Sequence, residues 1–225
     1  MEWSAVWVTL RLALGTTVIL LILGLPLAYW IARTRWRGRF LIEAVVALPL
    51  VLPPTVLGFY ILIATGPNSL LGRTYAELAG ILGLSPRLPF TFTGILLASV
   101  IYNLPFAVRP FAAAFAGVDR KLIEASWSLG VSRRATFFRI SFPLAWPGIL
   151  TGLVLTFAHT VGEFGVVLMV GGNIPGLTRT LSMSIYDQYQ AQEYAAAHQT
   201  ALALVAFAFV CLCITYALQK RVLKI

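Results

Sequence analysis

Five stretches of the chain are each long and apolar enough to cross a lipid bilayer: Val6 to Ile31, Leu41 to Ala64, Thr93 to Phe111, Leu144 to Met169 and Thr200 to Leu218. A spanning helix needs about 20 predominantly apolar residues. Lipid offers no partner to an unpaired backbone group, so only helices and closed barrels cross it. The pattern predicts an all-α membrane protein with five transmembrane helices. Composition agrees, because 59% hydrophobic and 11% charged residues, with a mean hydropathy of +0.86, lie far outside the range of a soluble domain of 225 residues.

An odd number of spans puts the two termini on opposite sides, and basic residues decide which is which. Arg33, Arg35, Arg37 and Arg39 follow the first span; Arg109, Arg120, Lys121, Arg133, Arg134 and Arg139 follow the third; Lys220, Arg221 and Lys224 follow the fifth. The other face has Arg11, Arg73, Arg87 and Arg179, a split of 13 against 4. By the positive-inside rule the N-terminus is outside and the C-terminus cytoplasmic. The formal charge of +9 does not point to nucleic acid, since the basic residues sit at span ends and form no continuous stripe with stacking aromatics. Met1-Glu2-Trp3 lacks the basic start of a cleavable signal, and the first span is too long for one. Cys211 and Cys213, two apart on a helix, face different ways and read as small apolar filler.

One domain, residues 1–225, accounts for the whole chain, without repeat or linker. The short cytoplasmic turn Arg33 to Arg39 forces the first two spans into an antiparallel hairpin. A first external segment, Gly66 to Phe92, has room for a short helix from Arg73 to Leu82; a second, Val170 to Gln199, is polar and is expected to pack over the outer mouth. Prolines gather where a rigid helix would avoid them: Pro49, Pro53 and Pro54 in the second span, Pro105 and Pro110 in the third, Pro147 in the fourth. Each removes a backbone hydrogen bond and bends its helix. Two readings stay open, kinking for packing alone, or breaks at Pro53, Pro54 and Thr55 that expose backbone groups along a path through the protein.

The fourth span holds the ionisable residues expected at mid-membrane depth, His159 and Glu163 in the sequence AHTVGEFG. Four apart on one helix, they share a face and are expected to pair. A carboxyl group in lipid is costly and is a functional candidate by default: a structural or gating contact, a pathway residue or a proton-coupling residue. Gly162 and Gly165 flank it and permit close helix contact. No HExxH or equivalent ligand set accompanies the pair, which argues against a catalytic zinc site. No Gly-x-x-x-x-Gly-Lys-Ser/Thr phosphate loop is present, nor a credible nucleophile, base and orienting acid, so no catalytic residue is assigned and any ATP-derived energy must come from a partner.

The most informative local pattern is a charged island between the third and fourth spans, Glu124 to Pro143, EASWSLGVSRRATFFRISFP. Asp119 is a good N-cap for a helix over Arg120 to Leu129. Gly130 ends it. Ser132 caps a second helix, Arg133 to Ile140, and Pro143 stops that helix and starts the next span. Ile123, Trp127 and Phe138 offer an apolar face, and Glu124, Arg133, Arg134 and Arg139 offer polar contacts. Such a knob suits docking into a partner's groove; the alternative is an amphipathic segment lying on anionic headgroups.

Spacing in the island resembles the EAA loop of bacterial ABC importer permeases: Glu124-Ala125-Ser126, then Gly130, then Ile140, then Phe142-Pro143, with Ser126 and Phe142 as mild departures from Ala and Leu. The whole chain is similar to the molybdate permease family, and to its sulfate and tungstate neighbours, through Ala47 to Tyr60 (ALPLVLPPTVLGFY), the loop, and Gly162 to Tyr186 (GEFGVVLMVGGNIPGLTRTLSMSIY). The resemblance implies a type I ABC importer transmembrane domain whose EAA loop, about residues 117–143, couples to an ATPase. It also implies a homodimer of this chain, two cytoplasmic ATPase subunits that hold ATP and magnesium, and a periplasmic molybdate-binding protein. Molybdate would cross the bacterial inner membrane by alternating access. Sulfate or tungstate import is the alternative within the class; an intramembrane enzyme built on His159 and Glu163, or an ion channel, are the alternatives outside it.

Overall fold

The structure is a computed structural model that describes residues 2–81, 83 and 85–222; Lys224 of the basic tally and Leu82 of the expected external helix lie outside the described residues. Helix α1 (Trp3–Arg33) runs without a break through Pro26, and its 31 residues reach about 46 Å, ample for a bilayer. Its cytoplasmic end is tied to the third span by Arg33, whose Nη2 donates to the carbonyl oxygens of Phe115 at 2.8 Å and Val118 at 3.4 Å.

The second span is not the continuous helix expected over Leu41 to Ala64. It consists of α2 (Arg39–Val51) and α3 (Pro54–Thr65), bent by 112°. A residue that precedes a proline is biased towards extended backbone, and Leu52 and Pro53 both stand there, with ψ of 136° and 135°. Two such residues in succession end one helix and start another, while the lone Pro49 stays inside α2. The carbonyl of Pro53 then accepts from the amides of Val56 and Leu57 to open α3. Helix α4 (Leu70–Ile81) begins three residues before the expected Arg73, because Ser69 Oγ accepts from the amide of Gly72 and caps it there.

Helix α5 (Phe92–Ala116) is capped by Thr91, whose side chain accepts from Gly94, and passes through Pro105 and Pro110 unbroken to end beyond the expected Phe111. Its neighbours supply what an isolated helix with two prolines lacks: α5 is the central helix, packed by α1, α2, α3 and both parts of the fourth span. One core cluster lies towards the cytoplasmic side, around Leu20, Ala28, Phe111, Phe115 and Ile149. A second lies towards the outer side, around Val8, Leu12, Ile95, Val166 and Met183.

After α6 (Arg120–Ser128) and α7 (Arg133–Thr136), a π-helical turn (Phe137–Ser141) leads directly into α8 (Phe142–Val161). Pro143 therefore does not stop the helix, contrary to expectation. The carbonyl its ring would crowd, four residues back, belongs to Arg139 inside the widened turn, and a π-bulge takes up that strain. The fourth span expected over Leu144 to Met169 is also interrupted. Gly162 and Glu163 close α8 with amide bonds to the carbonyls of His159 and Thr160, three residues back. After Phe164 the chain restarts as α9 (Gly165–Gly171). Glycines on both sides weaken helix continuity there.

The second external segment contains α10 (Leu181–Gln190) and leads into α11 (Tyr194–Val222). It is locked to the start of α1. Arg179 reaches Glu2 at 3.5 Å and Asp187 at 3.0 Å, its Nε donates to Asn173 Oδ1, and the amide of Leu181 donates to Thr9 Oγ1 at 2.9 Å. Helix α11 packs on α8 and α10. Cys211 is buried and Cys213 exposed, on different faces as expected.

Candidate functional site

The loop between α5 and α8 is a built corner. Asp119 Oδ1 accepts from the amide of Lys121 at 2.9 Å and starts α6. Gly130 takes φ of +78°, with its amide bonded to the Trp127 carbonyl and that of Val131 bonded to the Ser126 carbonyl. Those two bonds make a Schellman motif, and the left-handed φ is why glycine stands there. Ser132 Oγ accepts from the amide of Ala135 and starts α7. The two helices are pinned by a hydroxyl pair, Ser126 Oγ to Thr136 Oγ1 at 2.9 Å, both buried. The serine that departs from the EAA pattern thus holds the corner together.

Glu124 and Ala125 are exposed, Gly130 and Pro143 are exposed, and Ile140 is half-buried in the π-turn. Glu124 pairs with Arg120 at 3.3 Å, but both side chains are more than half exposed and the pair contributes little to stability. The expected apolar face divides. Ile123 is buried against the chain's own core beside Phe115 and Val118, so it braces the loop and is not a docking contact. Trp127, Phe138 and Leu129 are exposed, Leu129 by 83%.

The second site lies where both broken spans break. Six of the seven candidate pathway residues, Pro54, Thr55, His159, Gly162, Glu163 and Gly165, line one open recess of about 470 Å³ together with Tyr102 and Phe164. Pro53 stands one residue outside it, as the N-cap of α3. Gly165 is a close-approach position, since a Cβ there would meet the Pro54 ring at 2.9 Å. Gly162 is not: its nearest neighbour would be its own turn's carbonyl at 3.7 Å, and its role is to end α8.

His159 and Glu163 do not pair directly. Glu163 lies past the end of α8, so the helical spacing of four no longer places it beside His159. Asn103 of α5 stands between them. Its Nδ2 donates to Glu163 Oε2 at 2.7 Å, and Ser99 Oγ donates to the same oxygen at 2.7 Å. With the amide nitrogen committed to the carboxyl group, the carbonyl oxygen of Asn103 faces His159, and His159 Nδ1 must donate to it, at 2.8 Å. The His159 ring is stacked on Phe106 with centroids 3.8 Å apart. Glu163 is 4% exposed, and its Oε1 has no hydrogen-bond partner among the described residues. Ser99 and Asn103 are not among the residues expected from the sequence, although two polar residues four apart inside the apolar run LASVIYNLPF are a visible signal.

This arrangement braces helices and does not suit covalent chemistry. Ser99, the hydroxyl beside the carboxyl group, is fully buried and out of reach of any incoming group. Among the described residues no three His, Cys, Asp or Glu side chains gather in a metal-binding cluster.

The family model of the binding-protein-dependent transport system inner membrane component matches residues 5–224. The chain is 50% identical over 219 residues to the molybdenum transport system permease protein ModB of Azotobacter vinelandii, covering 97% of this chain and 95% of that one. Against ModB of Escherichia coli K12 the identity is 36% over 189 residues, covering 84% and 80%. Among solved structures, a chain of the MetNI methionine ABC transporter in an inward-facing conformation superposes with a TM-score of 0.67 at 18% identity, covering 97% of this chain and 94% of that one. A chain of a bacterial alginate ABC transporter, in complex with its alginate pentasaccharide-bound periplasmic protein, gives 0.69 at 18% identity, covering 97% and 79%.

Proposed function

Because the chain belongs to the family of binding-protein-dependent transport system inner membrane components, we propose that it is the permease subunit of an ATP-driven molybdate importer in the bacterial inner membrane. Its fold is that of a type I ABC importer transmembrane domain, a multi-pass helical membrane protein without an ATPase site of its own. Relatives named for molybdenum transport support the substrate, one of them half identical along nearly the whole chain; sulfate and tungstate are the alternatives. Intramembrane catalysis has no support in the geometry of His159 and Glu163.

The observation that carries the mechanism is the capped, glycine-cornered knob of α6 and α7, which leaves Glu124, Ala125, Trp127 and Leu129 exposed. Each knob engages one ATPase subunit. An ATPase pair with two nucleotide sites therefore needs two copies of this chain. ATP and magnesium bind on the ATPase subunits, and closure there draws the two knobs together. Because Ile123 seats the knob on the core and the Ser126–Thr136 pair holds its two helices together as one body, the pull reaches α5 and α8 and rocks them between inward- and outward-facing states. A periplasmic binding protein delivers the oxyanion to the outer mouth, and the anion passes near the paired breaks.

Glu163 acts there as a positioning or gating group. An acid is a poor anion ligand, and two donors from α5 already hold one of its oxygens. The test is uptake of molybdate, tungstate and sulfate into proteoliposomes that contain this chain, its ATPase and its binding protein. ATP-dependent uptake with molybdate preferred is expected. Accumulation without ATP or without the ATPase would refute the importer reading, and preference for sulfate would refute the substrate alone.

A further inference from the structure

Between the cytoplasmic end of α1 and the α6–α7 knob lies a groove of about 640 Å³. Its deep end is apolar, formed by Leu25, Pro26 and Tyr29 of α1, and its shallow end is ringed by Arg33, Arg120, Arg133 and Arg134. We propose that this groove holds one anionic phospholipid of the cytoplasmic leaflet, with its phosphate among the arginines and an acyl chain along α1.

Charge and depth together select that occupant. Among the described residues four arginines and no acidic residue line the groove; Glu124, beyond it, accounts for Arg120 alone. Arg33 is held in place by the Phe115 and Val118 carbonyls through one guanidinium nitrogen, and together the four guanidinium groups that line the groove offer a phosphate forked donors. Leu25 lies eight residues before Arg33, about 12 Å further along the helix and inside the hydrocarbon layer. A cytoplasmic protein seated on the arginines would leave that end bare to lipid, whereas a phospholipid matches both ends. Trp127 stands at the rim with the Arg133 guanidinium 5.6 Å from its ring centre, which keeps that arginine beside the groove. The lipid would bridge α1 and the knob, joining headgroup chemistry to the loop that moves.

The full chain, purified and placed in nanodiscs of phosphatidylcholine containing phosphatidylglycerol, tests this first by itself and then with the cytoplasmic ATPase added. Native mass spectrometry counts the lipid that stays bound after release from the disc. One phosphatidylglycerol per chain is expected, retained in preference to phosphatidylcholine. Each arginine near an anionic surface contributes about fivefold in affinity, so the exposed pair Arg133→Gln/Arg134→Gln should weaken retention about 25-fold. Arg33→Gln, which also loses the carbonyl contacts, is a second variant judged by the same ratio once its helicity matches the parent. Three results would overturn the proposal. They are equal retention of both lipids, displacement of phosphatidylglycerol by millimolar inorganic phosphate, and loss of the bound lipid whenever the cytoplasmic ATPase is added, which would assign the groove to protein.

Discussion

Asn103 is the residue whose replacement tells most about the broken spans. It is fully buried and contacts both Glu163 and His159, while its Nδ2 also reaches the Ser99 carbonyl at 2.9 Å. Asn103→Leu keeps the branched outline of the side chain, somewhat enlarged, and removes every one of those hydrogen bonds. A hydrogen bond to an ionisable group contributes about 1.5–3 kcal/mol in soluble proteins, while polar contacts between membrane helices average about 0.6 and reach about 1.7 kcal/mol. Deleting the bonds to Glu163 and His159, and so leaving a carboxyl group and an imidazole short of partners, should cost about 2–4 kcal/mol. The double variant Asn103→Leu/Glu163→Leu removes both sides of the main interaction and should recover about 1–2 kcal/mol of that cost. Equilibrium unfolding of the purified chain, titrated with denaturing detergent and followed by helicity, measures the double variant and both single ones. If the single costs add to within about 0.5 kcal/mol, Asn103 and Glu163 are energetically independent and the bridge between the spans is not a working unit.

The loop makes a sharper, conformational prediction. Among the described residues nothing lies within 4 Å of a Cβ built on Gly130, so substitutions there act through φ: Gly130→Asn should retain co-purification of the ATPase, Gly130→Val should lose most of it at about 1–2 kcal/mol of strain, and equal capture by both would detach the corner from docking. At the paired breaks, Gly165→Leu should drive α9 away from Pro54 and reduce uptake at least tenfold while membrane insertion, read by protease protection, is unchanged; undiminished uptake would show that the approach of the two breaks is incidental. For orientation, Gly80→Cys should react with an impermeant maleimide from outside intact spheroplasts and Lys121→Cys should not, and the reverse pattern would invert the topology.

Residue type and order alone carried the membrane-spanning character, the five apolar segments, the side assignment from 13 basic residues against 4, and the caps of the loop. Asp119, Gly130 and Ser132 act within a few residues of themselves, through amides whose position the local chain dictates. What happens at a proline or a glycine is not local in that way. Pro26, Pro105, Pro110 and Pro143 sit inside continuous helix because neighbouring helices or a widened turn absorb them, while Pro53 and Pro54 break theirs because two extended residues follow one another. Equally, hydropathy sees the fourth span as one segment, and only the packed fold ends α8 at Gly162 and turns Glu163 towards Ser99 and Asn103 of a helix 60 residues away in the chain. A buried carboxyl group requires donors. The sequence announces the requirement, and tertiary structure alone decides which side chains meet it.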